Sequence, residues 1–365
     1  MTVSKRLLHR ALLHSAALAC LLTFAVVARA RQQPAAERDR AAALVKAGDY
    51  KGASRALRAA VKKDKADAEA WHMLGATLAR AGDGKGSRKA FETALKLRPD
   101  HAPSRAGLAY ALILLNKLKD AEREAARAAA ADPRSAEAVY VVGVLRHKKD
   151  DFKGALEAAE SALRIDPDFP PAARLKGEAL LESYADFAER YREEHPATSS
   201  PGRLAREEYY ESFQSAVAPL KARLLDAADK LDAIVKARPD LQSEVVLLDL
   251  IDTLRLYART PREGLSGPTG AYLQAQVTTK AVILSKPEPG FTDEARDNNV
   301  AGLVRLRAVL GADGRVRNIL VLKRLPAGLT GKCVEAARRI RFKPATLDGR
   351  PVSQFVVLEY NFNIY

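Results

Sequence analysis

Proline stands at positions 99, 133 and 167, a spacing of 34 residues, and Lys65 fills the slot that would precede them. Other columns keep the same step: Ala53, Ser87, Ala121 and Ala155; Leu57, Phe91, Ala125 and Ala159; Ala60, Ala94, Ala128 and Ala162. A period of this length fits one helical hairpin per unit. Such a hairpin cannot bury its apolar side alone and must stack on its neighbours. The expected product is an array with an extended concave wall rather than a catalytic cavity. Walls of that kind take chains.

Four helical pairs follow from the lattice, at about 37–66, 68–100, 102–134 and 136–168. The second is the most explicit, with Trp71, Leu74, Gly75, Leu78, Phe91, Ala94 and Pro99. Gly75 and Ala94 allow close helix approach, Trp71 and Phe91 fill the space between, and Pro99 ends the second helix. These residues resemble the tetratricopeptide repeat. In the other units Arg105 replaces the large apolar residue and Val139 is a smaller substitute. The resemblance implies that the first helix of each pair lines the groove, at Arg38, Lys46, His72, Arg80, Tyr110, Tyr140, His147, Lys148 and Arg174. A basic groove with two tyrosines suits an acidic, extended partner. The Lys-and-Asn clamp that some arrays use on a terminal carboxylate is missing. Its slots hold His72/Ala76, Ala106/Tyr110 and Tyr140/Val144.

The amino terminus has the form of an export address. Lys5, Arg6 and Arg10 precede the apolar run 11–27, and Ala28-Arg29-Ala30 is a small-x-small cleavage site. Residues 1–30 therefore read as a signal peptide, with a membrane anchor as the alternative. Their removal deletes Lys5, Arg6, Arg10 and Arg29 and no acid, lowering the formal charge from +15 to +11. Cys333 would be the one remaining cysteine, which excludes an intrachain disulfide. The basic residues are interspersed with acids and carry no aromatic ladder, so a nucleic-acid partner is not expected. The expected location is the periplasm, facing protein partners there or at the outer membrane.

A longer helix at about 171–194 extends the array, and 195–202 reads as a loop. Three helices are expected at about 203–217, 219–237 and 240–258, forming a diverged repeat or cap. The Pro- and Gly-rich stretch within 259–279 reads as a linker. After it the apolar period changes from 3.6 to 2. Segments 303–310 and 316–323 flank Gly311-Ala-Asp-Gly314 as a hairpin, 329–341 reads as a short helix, and the tail alternates as a strand. The fold class is thus an all-α solenoid followed by a small α+β (ββαβ) module over residues 280–365.

That module resembles the carboxy-terminal domain of TonB-family proteins. The matching blocks are Lys286-Pro-Glu-Pro-Gly-Phe-Thr-Asp-Glu-Ala-Arg296, Gly302 leading to Asp313-Gly-Arg-Val316, and Arg341-Phe-Lys-Pro-Ala-Thr-Leu-Asp-Gly-Arg-Pro-Val352. The resemblance implies binding of an extended receptor segment by addition to a sheet edge. Unpaired N–H and C=O groups on such an edge invite the same mode. The last strand is the expected edge, with Ser353, Phe355, Val357, Glu359, Asn361 and Asn363 as its contact residues. A few hydrogen bonds at ~0.5–1.5 kcal/mol each against an association cost of ~4–15 kcal/mol make a weak site. A second contact on the helical array would add avidity.

No enzyme is expected. The histidines lack metal spacing, Gly82-Asp-Gly-Lys-Gly86 falls in a hairpin turn, and Cys333 lies on the apolar side of its helix. No cofactor is implied. The leading reading is an exported interaction scaffold with two peptide-binding surfaces. The rival is a membrane-anchored energy transducer of the TonB type for receptor-mediated transport. Against the rival, helical repeats stand where such transducers carry a Pro-rich spacer.

Overall fold

The computed structural model describes residues 35–195, 203–259 except 239 and 243, and 270–363. Residues 1–30, on which export or anchoring depends, lie outside the described set. So do most of the expected loop at 195–202 and half of the expected linker. Two compact units divide the chain, Met1–Leu145 and Arg146–Tyr365.

The first unit holds α1 (residues 35–46), α2 (Tyr50–Lys63), α3 (Ala68–Arg80), α4 (Gly84–Leu97), α5 (Ala102–Leu114), α6 (Leu118–Ala131) and most of α7 (Ala136–Lys148). Each hairpin turn needs one residue in the left-handed region, supplied here by Gly48, Gly82 and Asn116 at φ of 75°, 79° and 56°. Asp150 does the same in the second unit at φ 61°, on the same 34-residue step. Phe91 is buried between the hairpins. A Cβ on Gly75 would come within 2.9 Å of its ring, and one on Gly107 would overlap it. Arg105, standing where a large apolar residue is usual, reaches Glu124 at 3.1 Å and the Pro99 carbonyl at 2.6 Å. Its polar head is satisfied, so its stem can pack there.

The second unit continues with α8 (Phe152–Ile165), α9 (Pro170–Glu194), α10 (Arg203–Ala237) and α11 (Val245–Arg259). The helices expected at 203–217 and 219–237 are one helix, and the next begins at Val245 rather than near 240. Pro219 lies inside α10 without ending it. Its missing N–H leaves the Ser215 carbonyl without an intrahelical donor, but Ser215 and Pro219 are both exposed and water can take the place.

The strand module contains β1 (Val282–Ser285), α12 (Asp293–Asp297), β2 (Gly302–Leu310), β3 (Val316–Lys323), α13 (Leu329–Arg338), β4 (Arg341–Lys343), β5 (Ala345–Leu347), β6 (Arg350–Val352) and β7 (Gln354–Phe362). The principal sheet has the order β3-β2-β7, antiparallel throughout. This is the expected ββαβ frame, with β1-β4 and β5-β6 added as two-stranded ribbons. Gly314 and Gly349 take φ of +79° and +77° in their turns. One face of the sheet packs Val304, Leu306, Leu358, Tyr360 and Phe362 against Leu329, Cys333 and Ala337 of α13. The opposite face rests on helices of the same unit, with Leu320 in the core formed by α9, α10 and α11.

Candidate peptide-binding surfaces

Strand β7 is an edge of its sheet. Its register with β2 is unbroken, from Gly302 opposite Phe362 to Leu310 opposite Gln354. In a strand, successive residues aim their N–H and C=O to opposite sides. The bonds on the far side fix which residues face outward. Tyr272 donates to the Ser353 carbonyl at 2.9 Å and accepts from the Phe355 N–H at 2.9 Å. Lys286 Nζ donates to the Glu359 carbonyl at 2.6 Å. Residues 353, 355, 357, 359 and 361 therefore point their backbone groups away from β2.

Of the six residues expected at this edge, the structure keeps three together as an open stretch. Val357, Glu359 and Asn361 are exposed, Val357 at 58%. Among the described residues, Lys286 is the one group bonded to their outward backbone atoms. Ser353 and Phe355 are different. The chain's own Tyr272 takes their outward groups as a parallel bridge, and the Phe355 side chain is buried with Ala271 and Val309. Asn363 lies one residue beyond the end of β7. The sequence reading missed both occupants of the edge. Tyr272 sits in a segment read as linker, and nothing in the pattern of 281–286 indicates where the Lys286 side chain reaches.

On the helices of the first unit, His72, Tyr110 and Tyr140 come from α3, α5 and α7, the first helix of each hairpin. The Tyr110 and Tyr140 rings are adjacent, with centroids 6.1 Å apart. His72 Nδ1 is 3.0 Å from the buried Ser104 hydroxyl, and His101 Nδ1 is 2.7 Å from the same oxygen. One hydroxyl has one proton and two lone pairs, so it can donate to only one of these nitrogens, and at least one Nδ1 donates to it. Burial holds the His72 pKa below its ordinary value, with Glu69 pulling the other way. Arg38 is tied to Asp67 at 3.4 Å, while Lys46 and Arg80 are exposed. The Arg80 guanidinium lies 5.9 Å from the Tyr50 ring centroid.

In the second unit, His147 packs edge-on against Phe152 at 5.3 Å, and burial lowers its pKa. Lys148 is exposed, and Arg174 pairs with Glu178 at 2.8 Å along its own helix. Cys333 is fully buried, and burial pushes its thiol up to about 12, which suits packing rather than nucleophilic chemistry. Among the described residues no cluster of three or more His, Cys, Asp or Glu could hold a metal ion. No described helix is long and apolar enough to cross a membrane.

Comparison with known proteins assigns both regions. Residues 38–173 match the family described as the cytochrome c-type biogenesis protein H TPR domain, and residues 287–364 match the Gram-negative bacterial TonB protein C-terminal family. A search of curated proteins returns no match. Among solved structures, MamA (41-end) from Desulfovibrio magneticus RS-1 is similar at 24% identity. The match covers 42% of this chain and 86% of that one with a TM-score of 0.33. A thermophilic TPR protein of Thermus thermophilus is similar at 19% identity, over 49% and 97% of the two chains, with a TM-score of 0.38. The second TPR domain of human RPAP3, solved in complex with an HSP70 peptide, is similar at 20% identity over 32% and 98%, with a TM-score of 0.31.

Proposed function

We propose that this chain, a TPR region followed by a TonB C-terminal region, is an envelope protein-interaction scaffold whose β7 edge takes an extended peptide. The observation that carries the reading is the open run Val357, Glu359 and Asn361, whose outward N–H and C=O groups have no partner among the described residues except at the Glu359 carbonyl. A peptide strand satisfies such groups directly. With so few bonds on offer the site is weak alone, which gives the helical region a purpose as a second contact. Its adjacent Tyr110 and Tyr140 rings, with exposed Lys46 and Arg80, suit an acidic segment. Export to the periplasm is part of this proposal and rests on the apolar run 11–27 and the Ala28-Arg29-Ala30 site. No catalytic role is assigned.

Val357→Pro tests it. Proline removes one outward N–H and is tolerated on an edge strand, because the ladder to β2 uses the neighbouring residues. Pull-down from envelope extract with the full chain is expected to recover partners that the Val357→Pro form loses. Equal recovery by a folded Val357→Pro form would contradict strand addition.

A further inference from the structure

We propose that Lys286 is a latch on the β7 edge that admits acidic strands in preference to neutral or basic ones. This rests on the reading of β7 as a peptide-adding edge and specifies the chemistry of what it accepts.

The ammonium group is held in place by the fold. Lys286 directly follows β1, which is fixed to β4 by the pairing of Ser285 with Arg341, and Pro287 and Pro289 stiffen the chain beyond it. From there Nζ reaches the Glu359 carbonyl at 2.6 Å and lies 4.3 Å from the centroid of the Tyr360 ring. Glu359 is the middle residue of the open run, so its carbonyl is the acceptor that any added strand must use. The Glu359 carboxylate does not serve Lys286, because Arg305 binds it at 2.7 Å. Among the described residues Lys286 forms no ion pair. An exposed edge guarded by a lysine is a known way for a sheet to refuse indiscriminate pairing.

An incoming backbone N–H must displace Nζ from that carbonyl. The ammonium then loses its acceptor, and only the ring face and water remain. A carboxylate on the added strand, projecting to the α13 side where the Tyr360 ring lies, supplies a new partner. A neutral side chain supplies none, and a basic one adds repulsion.

The test uses the full chain, wild type and Lys286→Met, with two capped nine-residue peptides of alternating threonine and valine. One has a central glutamate and the other a central glutamine. Binding is read from the backbone amide signals of Val357–Asn361. The wild type is expected to prefer the glutamate peptide about two- to fivefold at low ionic strength, with the preference fading as salt is raised. Lys286→Met is expected to bind the glutamine peptide more tightly than wild type does and to show no preference. Binding of both peptides with the same preference in both proteins would overturn the latch and leave the edge intact. If neither peptide moves these signals in either protein, the edge reading fails and the latch falls with it.

Discussion

Phe91 depends on two residues that have no side chain. A methyl group on Gly107 would overlap its ring, and one on Gly75 would press it at 2.9 Å. Gly107→Ala should therefore destabilise the first unit by ~1–3 kcal/mol, although alanine is the better helix former. Thermal or urea unfolding checks the sign, and a stabilised variant would contradict it. His72 sets a pH dependence. Its folded pKa lies below the ordinary 6.5, so the unfolded chain binds the proton more readily. The contribution is fully present above pH 6.5 and is lost as pH falls through the depressed value. Unfolding midpoints measured downward from neutrality should decline, and His72→Gln should flatten that part of the curve.

At the scale of the element, the 34-residue lattice is a lattice of caps. Asp49, Asp83 and Asp151 begin α2, α4 and α8, each accepting from the backbone of a glycine three residues on, at 2.7–2.9 Å. The third hairpin has Lys117 and Asp120 instead, and α6 lacks a side-chain cap. Asp83→Ala should cost about 1 kcal/mol, and Lys117→Asp with Asp120→Gly should regain a similar amount. Denaturant midpoints of the two variants give the comparison. The hairpins were legible because every unit repeats the same turn and small-residue column, and all but the third repeat the same cap. The ββαβ order was legible because period-2 patterning survives in long strands. Ribbons β1-β4 and β5-β6 were not, since strands of three or four residues are too short to show alternation. The break expected at Pro219 was a fair inference from local chemistry. It fails because Ser215 and Pro219 lie on the exposed side of α10, where water can donate to the orphaned carbonyl.

At the scale of the whole molecule, the second unit joins what the sequence reads as separate parts. The sheet face opposite α13 lies on α9 and α11 through named bonds. Arg324 reaches Glu182 and, at 2.9 Å, Asp186, and stacks over Phe152 at 4.4 Å. Arg305 reaches Glu189 at 3.1 Å, and the Asn318 amide donates to the Thr253 hydroxyl at 3.1 Å. Glu182, Asp186 and Glu189 fall on one side of α9, a row that in sequence looks like ordinary solvated charge. Arg324→Ala should weaken this docking by roughly 1–3 kcal/mol, since the acids would keep their burial and lose their partner. Faster hydrogen exchange in β3 and α9, with α3–α6 unchanged, is the expected sign. The docking also bears on the edge, because it buries Phe355 beneath the start of β7 and confines the free stretch to Val357 onward.

The most direct measurement is a titration of the intact protein with an acidic extended peptide, following all assigned backbone amides. Shifts concentrated at Val357, Glu359 and Asn361, with β3 undisturbed, are the predicted result. Saturable binding that leaves those three amides unmoved would contradict it.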